Sequence, residues 1–371
     1  MKLIPIGFSI LLLFCQPLRA GLPSGYVVGW GFNSPGEVTG VASHHEFIAG
    51  LVTIGGRVLS NAVAVAAGND GALALRDDGT VAAWGASEAG QTGVWVGLSN
   101  VVAIATGGYD SLAFKKDGTV AVWGPYLTSE DQVGLSNVVA VSYRLKLGSD
   151  GRLVSRGTKK TQGSATIDRA AFVPAAFSNV VAFSEYAGDG VVVRRDGTVA
   201  QWNLNGRTDV ERQPWIVTNG MVIAWRVRDA EFVEIDGLSN VVAIAESEGH
   251  VLALKNNGTV FGWGNNGSGE ATGSRETNSP VRWGPHFLDS SQGLVKIAGQ
   301  VLDDVKAIAA SPHFSMALKN DGTIVGWGSS PQHWMDPPAG LSNVVAIAAG
   351  YNYCLAITTN RTIAEKFLHK E

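Results

Sequence analysis

Two short phrases alternate along the chain, and their alternation constrains its fold more than any other feature. The phrase S-N-V-V-A-I-A begins at Ser99, Ser239 and Ser342, with variants beginning at Ser60, Ser136, Ser178 and Asp303. The phrase D-G-T-V-x-x-W-G begins at Asp78, Asp117 and, with Asn203 for its last glycine, Asp196, with variants at Ser24, Asp150, Asn257 and Asp321. The second follows the first by 18 residues in most pairs, and by 14 in the pair that starts at Ser136. A unit this short cannot bury both of its faces alone, so copies must stack on one another.

Each unit reads as a three-stranded meander. Val101, Val102, Ala103, Ile104 and Ala105 form a continuous run of small apolar residues, the pattern of a strand buried on both faces. Residues 111–115 and 119–123 flank Asp117-Gly118, and Asp-Gly between apolar runs predicts a hairpin with a type I′ turn. Radial stacking of such meanders limits the number of exposed sheet edges. Seven copies of each phrase therefore predict an all-β, seven-bladed β-propeller. The ends of the chain fit that expectation. Residues 24–31, SGYVVGWG, supply the later part of a unit with no first part before it, whereas residues 342–363 supply a first part without its Trp-Gly strand. The N- and C-terminal strands are thus expected to share one blade and close the ring.

Residues 1–20 read as an export signal, with Lys2 ahead of an apolar run over 3–14 and Ala20 at a cleavage site. Residues 21–371 are then one domain. The apolar run falls short of the roughly 20 residues a membrane helix needs, so the expectation is a secreted or periplasmic monomer with no membrane span. Cys15 lies in the signal, where it is also a candidate for lipid attachment, and Cys354 alone would remain, so no internal disulfide is expected. With 28 Lys and Arg against 32 Asp and Glu, the chain lacks the cationic field that holds nucleic acid or anionic lipid. An apolar fraction of 45% with 16% charged residues excludes a disordered chain.

The segment VVAIATGGYDSLAFKKDGTVAVWG over 101–124, the later AIAAGYNYCLAI and the Gly90-Gln91-Thr92-Gly93 turn resemble repeats of the RCC1 family, named for the regulator of chromosome condensation. The resemblance covers residues 22–363. The short unit and the Pro337-Pro338-Ala339-Gly340 turn are most similar to compact bacterial members, including the secreted propeller that inhibits β-lactamases. Two features depart from the family pattern. His250 alone keeps its histidine, where Gly71, Asp110, Asp189, Phe314 and Tyr353 stand in other units, and Arg156 replaces one repeat tryptophan. The resemblance implies a binding scaffold.

Function on such a scaffold is read from what varies between the units. The segments after Trp30, Trp202 and Trp263 are enlarged, and they leave the repeat at the same phase. Long loops on a stable scaffold are tolerated at low cost and are expected to shape a recognition surface. Six tryptophans, Trp30, Trp84, Trp123, Trp202, Trp263 and Trp327, hold the repeat position and are read as packing. Trp95, Trp215, Trp225, Trp283 and Trp334 fall in variable segments. Trp225 closes an inserted hairpin turned at Asn219-Gly220 and is read as structural. The partner-binding candidates are Trp95, Tyr126, Trp215, Trp283, His286, Phe287 and Trp334, because large amphipathic rings on loops are frequent interface anchors.

Catalytic chemistry has little support in the sequence. His44-His45-Glu46 lacks the spacing of a zinc-protease helix, GNNGSG over 264–269 follows a strand rather than opening a helix, and Glu37 and Glu270 are too few for a calcium cage. No catalytic residue, metal or cofactor is assigned. The expected function is that of an exported, non-catalytic protein-binding propeller, an interaction or inhibitor module. A carbohydrate or cell-wall ligand binder or hydrolase is the alternative, and guanine-nucleotide exchange, by family analogy, is a weaker one.

Overall fold

The computed structural model describes residues 23–366 apart from 35, 43–46, 87–89, 91, 107–110, 125–137, 142–144, 156–158, 163–164, 169–178, 187–188, 196–198, 203–215, 219–220, 227–230, 236–237, 239, 248, 275–291 and 330–334. For many strand residues between 138 and 235 the backbone alone is described.

The chain opens with β1 (Tyr26–Phe32), β2 (Phe47–Leu51) and a small hairpin of β3 (Thr53–Ile54) and β4 (Arg57–Val58). Meanders follow: β5 (Ala62–Ala67), β6 (Gly71–Arg76) and β7 (Val81–Gly85), then β8 (Val101–Thr106), β9 (Ser111–Lys115) and β10 (Val120–Trp123). The next is β11 (Val138–Val141), β12 (Leu145–Gly148) and β13 (Leu153–Ser155), with a hairpin of β14 (Lys159–Gln162) and β15 (Ala165–Asp168) behind it. β16 (Val180–Tyr186), β17 (Asp189–Arg194) and β18 (Val199–Trp202) are followed by a separate sheet of β19 (Ile216–Thr218), β20 (Met221–Arg226) and β21 (Glu231–Ile235). β22 (Val241–Ser247), β23 (His250–Lys255) and β24 (Val260–Gly264) gain a fourth strand, β25 (Gln292–Leu294), before the hairpin of β26 (Lys296–Ile297) and β27 (Gln300–Val301). β28 (Val305–Ala310), β29 (Phe314–Lys319) and β30 (Ile324–Gly328) precede β31 (Val344–Ala349), β32 (Tyr353–Thr358) and the short α1 (Arg361–Lys366). β32 pairs with β31 on one side and with β1 on the other, so the two ends of the chain meet in one sheet ordered β2-β1-β32-β31.

The enlarged segments, expected as loops, carry strands of their own. β2 and β25 extend two meanders to four strands, and Thr218 pairs with Met221 across Asn219-Gly220 as the inserted hairpin requires.

The recurring phrases acquire a backbone reason. Asn61, Asn100, Asn179, Asn240, Asp304 and Asn343, each just before an inner strand, have φ between 54° and 60°. Besides glycine, only Asn and Asp adopt this left-handed conformation routinely. Their carbonyls accept the amide of the residue that enters the next turn, as in Asp77 to Asn61 (2.9 Å) and Lys116 to Asn100 (2.8 Å). The second residue of each inner strand is a β-bulge: Val101 pairs with Lys115 and Ala103 with Phe114, skipping Val102. Val102 is half-buried and Lys306, at the same place in β28, is exposed. The apolar doublet is therefore a bulged residue beside a buried one, and the strand is not buried on both faces throughout.

The Asp-Gly turns also differ from the expected type. Gly79 has φ of 78° whereas Asp78 does not have a positive φ, and the Gly79 amide donates to the Arg76 carbonyl at 3.0 Å. This is a type I turn closed by a left-handed glycine. Asp78 Oδ1 accepts from the Thr80 amide (2.9 Å) and hydroxyl (2.6 Å), and Asp117 and Asp321 repeat the bonds with Thr119 and Thr323. The glycine carbonyl then receives the first valine amide of the next inner strand, Val101 to Gly79, Val180 to Gly151 and Val305 to Gly258 at 3.0 Å each, and Val344 to Gly322 at 3.2 Å.

The core lies in the seams between successive sheets. Leu73, Leu75 and Val81 pack with Val101, Ala113 and Trp123 of the next meander. Leu252, Leu254 and Val260 pack in the same way with Ile308, Ala317 and Trp327. Burying one such aliphatic side chain contributes roughly 1.5–3 kcal/mol. The terminal sheet is pinned to its neighbour by Tyr353, whose hydroxyl donates to the Gly71 carbonyl (2.8 Å) and accepts from the Gly68 amide (3.1 Å). At the far end of the same sheet, Ala364 of α1 is buried against Val28 and Leu51.

Asn100 is exposed and serves through its backbone conformation. Asn100→Ala should therefore cost about 1–2 kcal/mol in urea unfolding, whereas Asn100→Gly should change little. Equal losses from both would locate the effect elsewhere.

Candidate functional site

Two loops of identical construction follow β1 and β24. Asn33 is fully buried; its Oδ1 accepts the amides of Val38 (2.7 Å) and Thr39 (3.2 Å), and its Nδ2 donates to the Val41 carbonyl (2.8 Å) and Thr39 Oγ1 (3.3 Å). Asn266 does the same with Ala271, Thr272 and Ser274, at 2.8–3.0 Å. Each amide thus uses its full hydrogen-bonding capacity and folds the loop back over its own strand. The return is close enough that a Cβ on Gly29 would collide with the Val38 carbonyl, and one on Gly262 with that of Ala271. β7 and β10, which carry Ala83 and Val122 at this place, have no such overlay among the described residues.

These loops reach across the seam to the following sheet. Trp84 Nε1 donates to the Glu37 carbonyl at 2.8 Å, and Trp327 Nε1 to the Glu270 carbonyl at 2.9 Å. Ser315 Oγ also donates to the Glu270 carbonyl (2.9 Å) and lies 2.8 Å from His250 Nε2. Because the one hydroxyl proton of Ser315 is committed to Glu270, His250 carries its hydrogen on Nε2, and Nδ1 is left as a buried acceptor without a hydrogen bond. Burial, with the charge at His313 adding to it, pulls the His250 pKa down to about 3, so the ring is neutral. A base that activates a serine must accept from it. The polarity here is the reverse, and the pair acts as a relay that ties β23 to β29.

The two loop carboxyls are nearly inaccessible, 2% exposed at Glu37 and 3% at Glu270. Burial pushes the Glu37 pKa up to about 8, the charge of Asp70 adding to it. Burial also raises Glu270, where the Ser268 amide at 2.7 Å and the nearby His313 pull the other way. Asp70 is itself raised by burial. Asp70 and His313 stand at the same offset before β6 and β29, so one seam sets acid against acid and the other sets acid against imidazole.

Of the aromatic residues expected to contact a partner, Trp95 falls among the described residues. It is 42% exposed, and Val96 beside it is fully exposed. Tyr126, Trp215, Trp283, His286, Phe287 and Trp334 lie outside the described residues, as do His44, His45 and Glu46. The repeat tryptophans Trp30, Trp84, Trp123, Trp263 and Trp327 are buried, in keeping with packing. Sequence reading missed Val96 and the exposed Tyr351, whose ring stands edge-on to His313 at 6.1 Å. An aliphatic residue carries no anchor signature, and Gly-Tyr-Asn reads as an ordinary tight turn. The inner strands β5, β8, β22, β28 and β31 converge on a cavity of about 30 Å³ lined by alanines and the buried Glu246. Among the described residues no group of three or more His, Cys, Asp or Glu could hold a metal ion, and no helix is long and apolar enough to cross a membrane.

The family model for the regulator of chromosome condensation (RCC1) repeat matches residues 62–91 and 241–270. Those two segments carry the RCC1 repeat. Both matched segments run from an inner strand through its meander and stop at the same place in the loop beyond, Gln91 in one and Glu270 in the other. Prp20p of Saccharomyces cerevisiae superposes with a TM-score of 0.63 at 18% identity, covering 95% of this chain and 96% of that one. Human WBSCR16 superposes with a TM-score of 0.58 at 15% identity, covering 90% and 100%. In sequence, the protein pim1 of Schizosaccharomyces pombe is 23% identical over 153 residues, a match that spans 33% of this chain and 26% of pim1. The fold is all-β and similar to that of RCC1-type propellers.

Seven residues after the repeat tryptophan, then, two loops have a glutamate, Glu37 and Glu270, where a third segment has Gln91. A protonated glutamic acid presents a carbonyl and a donor much as the amide does, and burial favours that form. Between pH about 4.5 and 8 the unfolded chain releases the Glu37 proton that the folded chain keeps. The contribution of Glu37 to stability is therefore complete below that window and falls as pH rises through it. Glu37→Gln should flatten this decline and stabilise the protein at pH 8 by a few kcal/mol, on the order expected for a shift of this size. Melting curves from pH 4 to 9 check this; parallel pH profiles for the two proteins would contradict it.

Proposed function

We propose that this protein is an exported, non-catalytic binding propeller that engages a protein partner through apolar and aromatic side chains on the segments between its repeats. Its seven repeat meanders form one closed ring. Support for the ring comes from the pairing of β1 with β32 and from core clusters that are each shared by two successive sheets. Support for export comes from the charge and apolar pattern of residues 1–20.

The observation that carries the binding reading is the Trp95-Val96 pair. It stands in solvent while Val94 and Leu98 on either side pack into the seam, so the chain holds two large apolar residues outward on a fixed base. Such residues are preferred anchors when a partner desolvates them. The structural relatives bind proteins: Prp20p binds Gsp1p and histones, and yeast RCC1 binds Kap60.

Affinity capture from the native extracellular or periplasmic fraction, run beside a glycan array, tests the reading. A protein partner is expected, with Trp95→Ala weakening its binding by about 1–4 kcal/mol while the melting temperature barely moves. A glycan ligand with no protein partner would sink it. For the ring, deletion of residues 21–31 should lower the melting temperature of the whole domain, because the outer edge of β32 is then left open; unchanged melting would refute closure.

A further inference from the structure

Among the described residues, no strand pairs with the outer edge of β7. The Arg76 amide donates to the Thr80 carbonyl (2.9 Å) and the Ala86 amide to that of Asp70 (2.7 Å), so residues 80, 82, 84 and 86 turn toward β6. By alternation, Val81, Ala83 and Gly85 turn their backbone groups outward. These groups have no hydrogen-bond partner among the described residues. No charge, proline or bulge blunts the VAAWG edge, although natural sheets normally protect an open edge in one of those ways.

The protein itself shows what such an edge accepts. At the same place on two other meanders, β2 pairs with β1 and β25 pairs with β24 in one register: Gly50 opposite Gly29 and Gly293 opposite Gly262, Leu51 opposite Val28 and Leu294 opposite Phe261. The Val27 and Val260 carbonyls, which correspond to that of Val81, accept the amides of Val52 and Val295 at 2.9 Å. Val94 and Leu98, in the segment that follows β7, pack on the same cluster as Val81 and Ala83, and Trp95 and Val96 project from that segment into solvent.

We propose that β7 takes an extended segment of a partner protein as a fourth antiparallel strand, with Trp95 and Val96 closing over an apolar side chain of that segment. The segment has a small residue opposite Ala83 and an aliphatic residue opposite Ala82, as β2 and β25 do on their own strands. Backbone hydrogen bonds supply affinity and these two positions supply selectivity. The proposal rests on the protein-binding reading above and specifies its geometry.

The probe is the capped peptide EFIAGLV, residues 46–52, added at millimolar concentration to the full chain while amide exchange is followed by NMR. The amides of Val81, Ala83 and Gly85 should exchange fast in the free protein and at least about tenfold more slowly with the peptide. The same peptide N-methylated at the positions of Ile48 and Gly50 should have no effect, and Ala83→Pro should abolish binding while melting changes little. Protection without peptide that grows with protein concentration would make a second copy the occupant and overturn the proposal. No slowing by the peptide, or equal slowing by its N-methylated form, also overturns it. If a captured protein partner is lost with Trp95→Ala but kept with Ala83→Pro, protein binding stands and strand addition fails; if no protein is captured at all, the broader reading fails.

Discussion

One hydrogen bond recurs wherever two successive meanders meet among the described residues at a type I turn: the carbonyl of the left-handed turn glycine accepts the first amide of the next inner strand. It couples two conformational demands. The glycine must adopt positive φ to aim its carbonyl out of the hairpin, and the residue before the next strand must adopt positive φ to present the amide. Asn meets the second demand without the larger entropic cost of glycine. Once both are met, each sheet is set at a fixed offset from the one before it. The apolar faces of the two strands then interdigitate as a seam core.

The seams also determine where polarity can be tolerated. Asn33 and Asn266 are buried completely, yet each is satisfied by four bonds within its own loop, so burial carries no desolvation debt. His250 and Ser315 pass a hydrogen bond across a seam with a polarity that suits cohesion rather than chemistry. Glu37 and Glu270 differ, since burial raises both carboxyls above their ordinary value, Glu37 to about 8. On a stiff scaffold of this kind the proposed recognition falls to what projects from it, the Trp95-Val96 pair and the outer edge of β7.

Much of this architecture was legible in the residues. The repeat count, the meander, the packing role of the repeat tryptophans and the meeting of β1 with β32 all follow from phrases that recur at fixed spacing. The turn type was misread because Asp-Gly suits both type I′ and a type I turn with a left-handed glycine; Thr80, Thr119 and Thr323, which bond back to the aspartate, decide it. The paired valines concealed a bulge, because apolar composition does not report where a ladder skips a residue. Gly29 and Gly262 before their tryptophans signal a loop laid over the strand, whereas Ala83 stands where no such overlay is found among the described residues, and that contrast is visible in sequence once the structure has shown what to look for. Of the candidate contact residues, composition singled out Trp95 but not Val96, since an exposed valine and a core valine are the same letter.

Local information determined the unit. The left-handed Asn, the Asp-Gly-Thr turn and the alternation of apolar residues are short-range requirements, each met within a few positions and therefore written wherever the unit recurs. Only the tertiary structure decided which edges are covered, which carboxyls lose their water and which tautomer His250 adopts. Those outcomes depend on groups brought together from different sheets, as Glu37 meets Trp84 and His250 meets Ser315. Desolvation and hydrogen-bond polarity at a seam belong to the pair of surfaces, and neither surface encodes them alone.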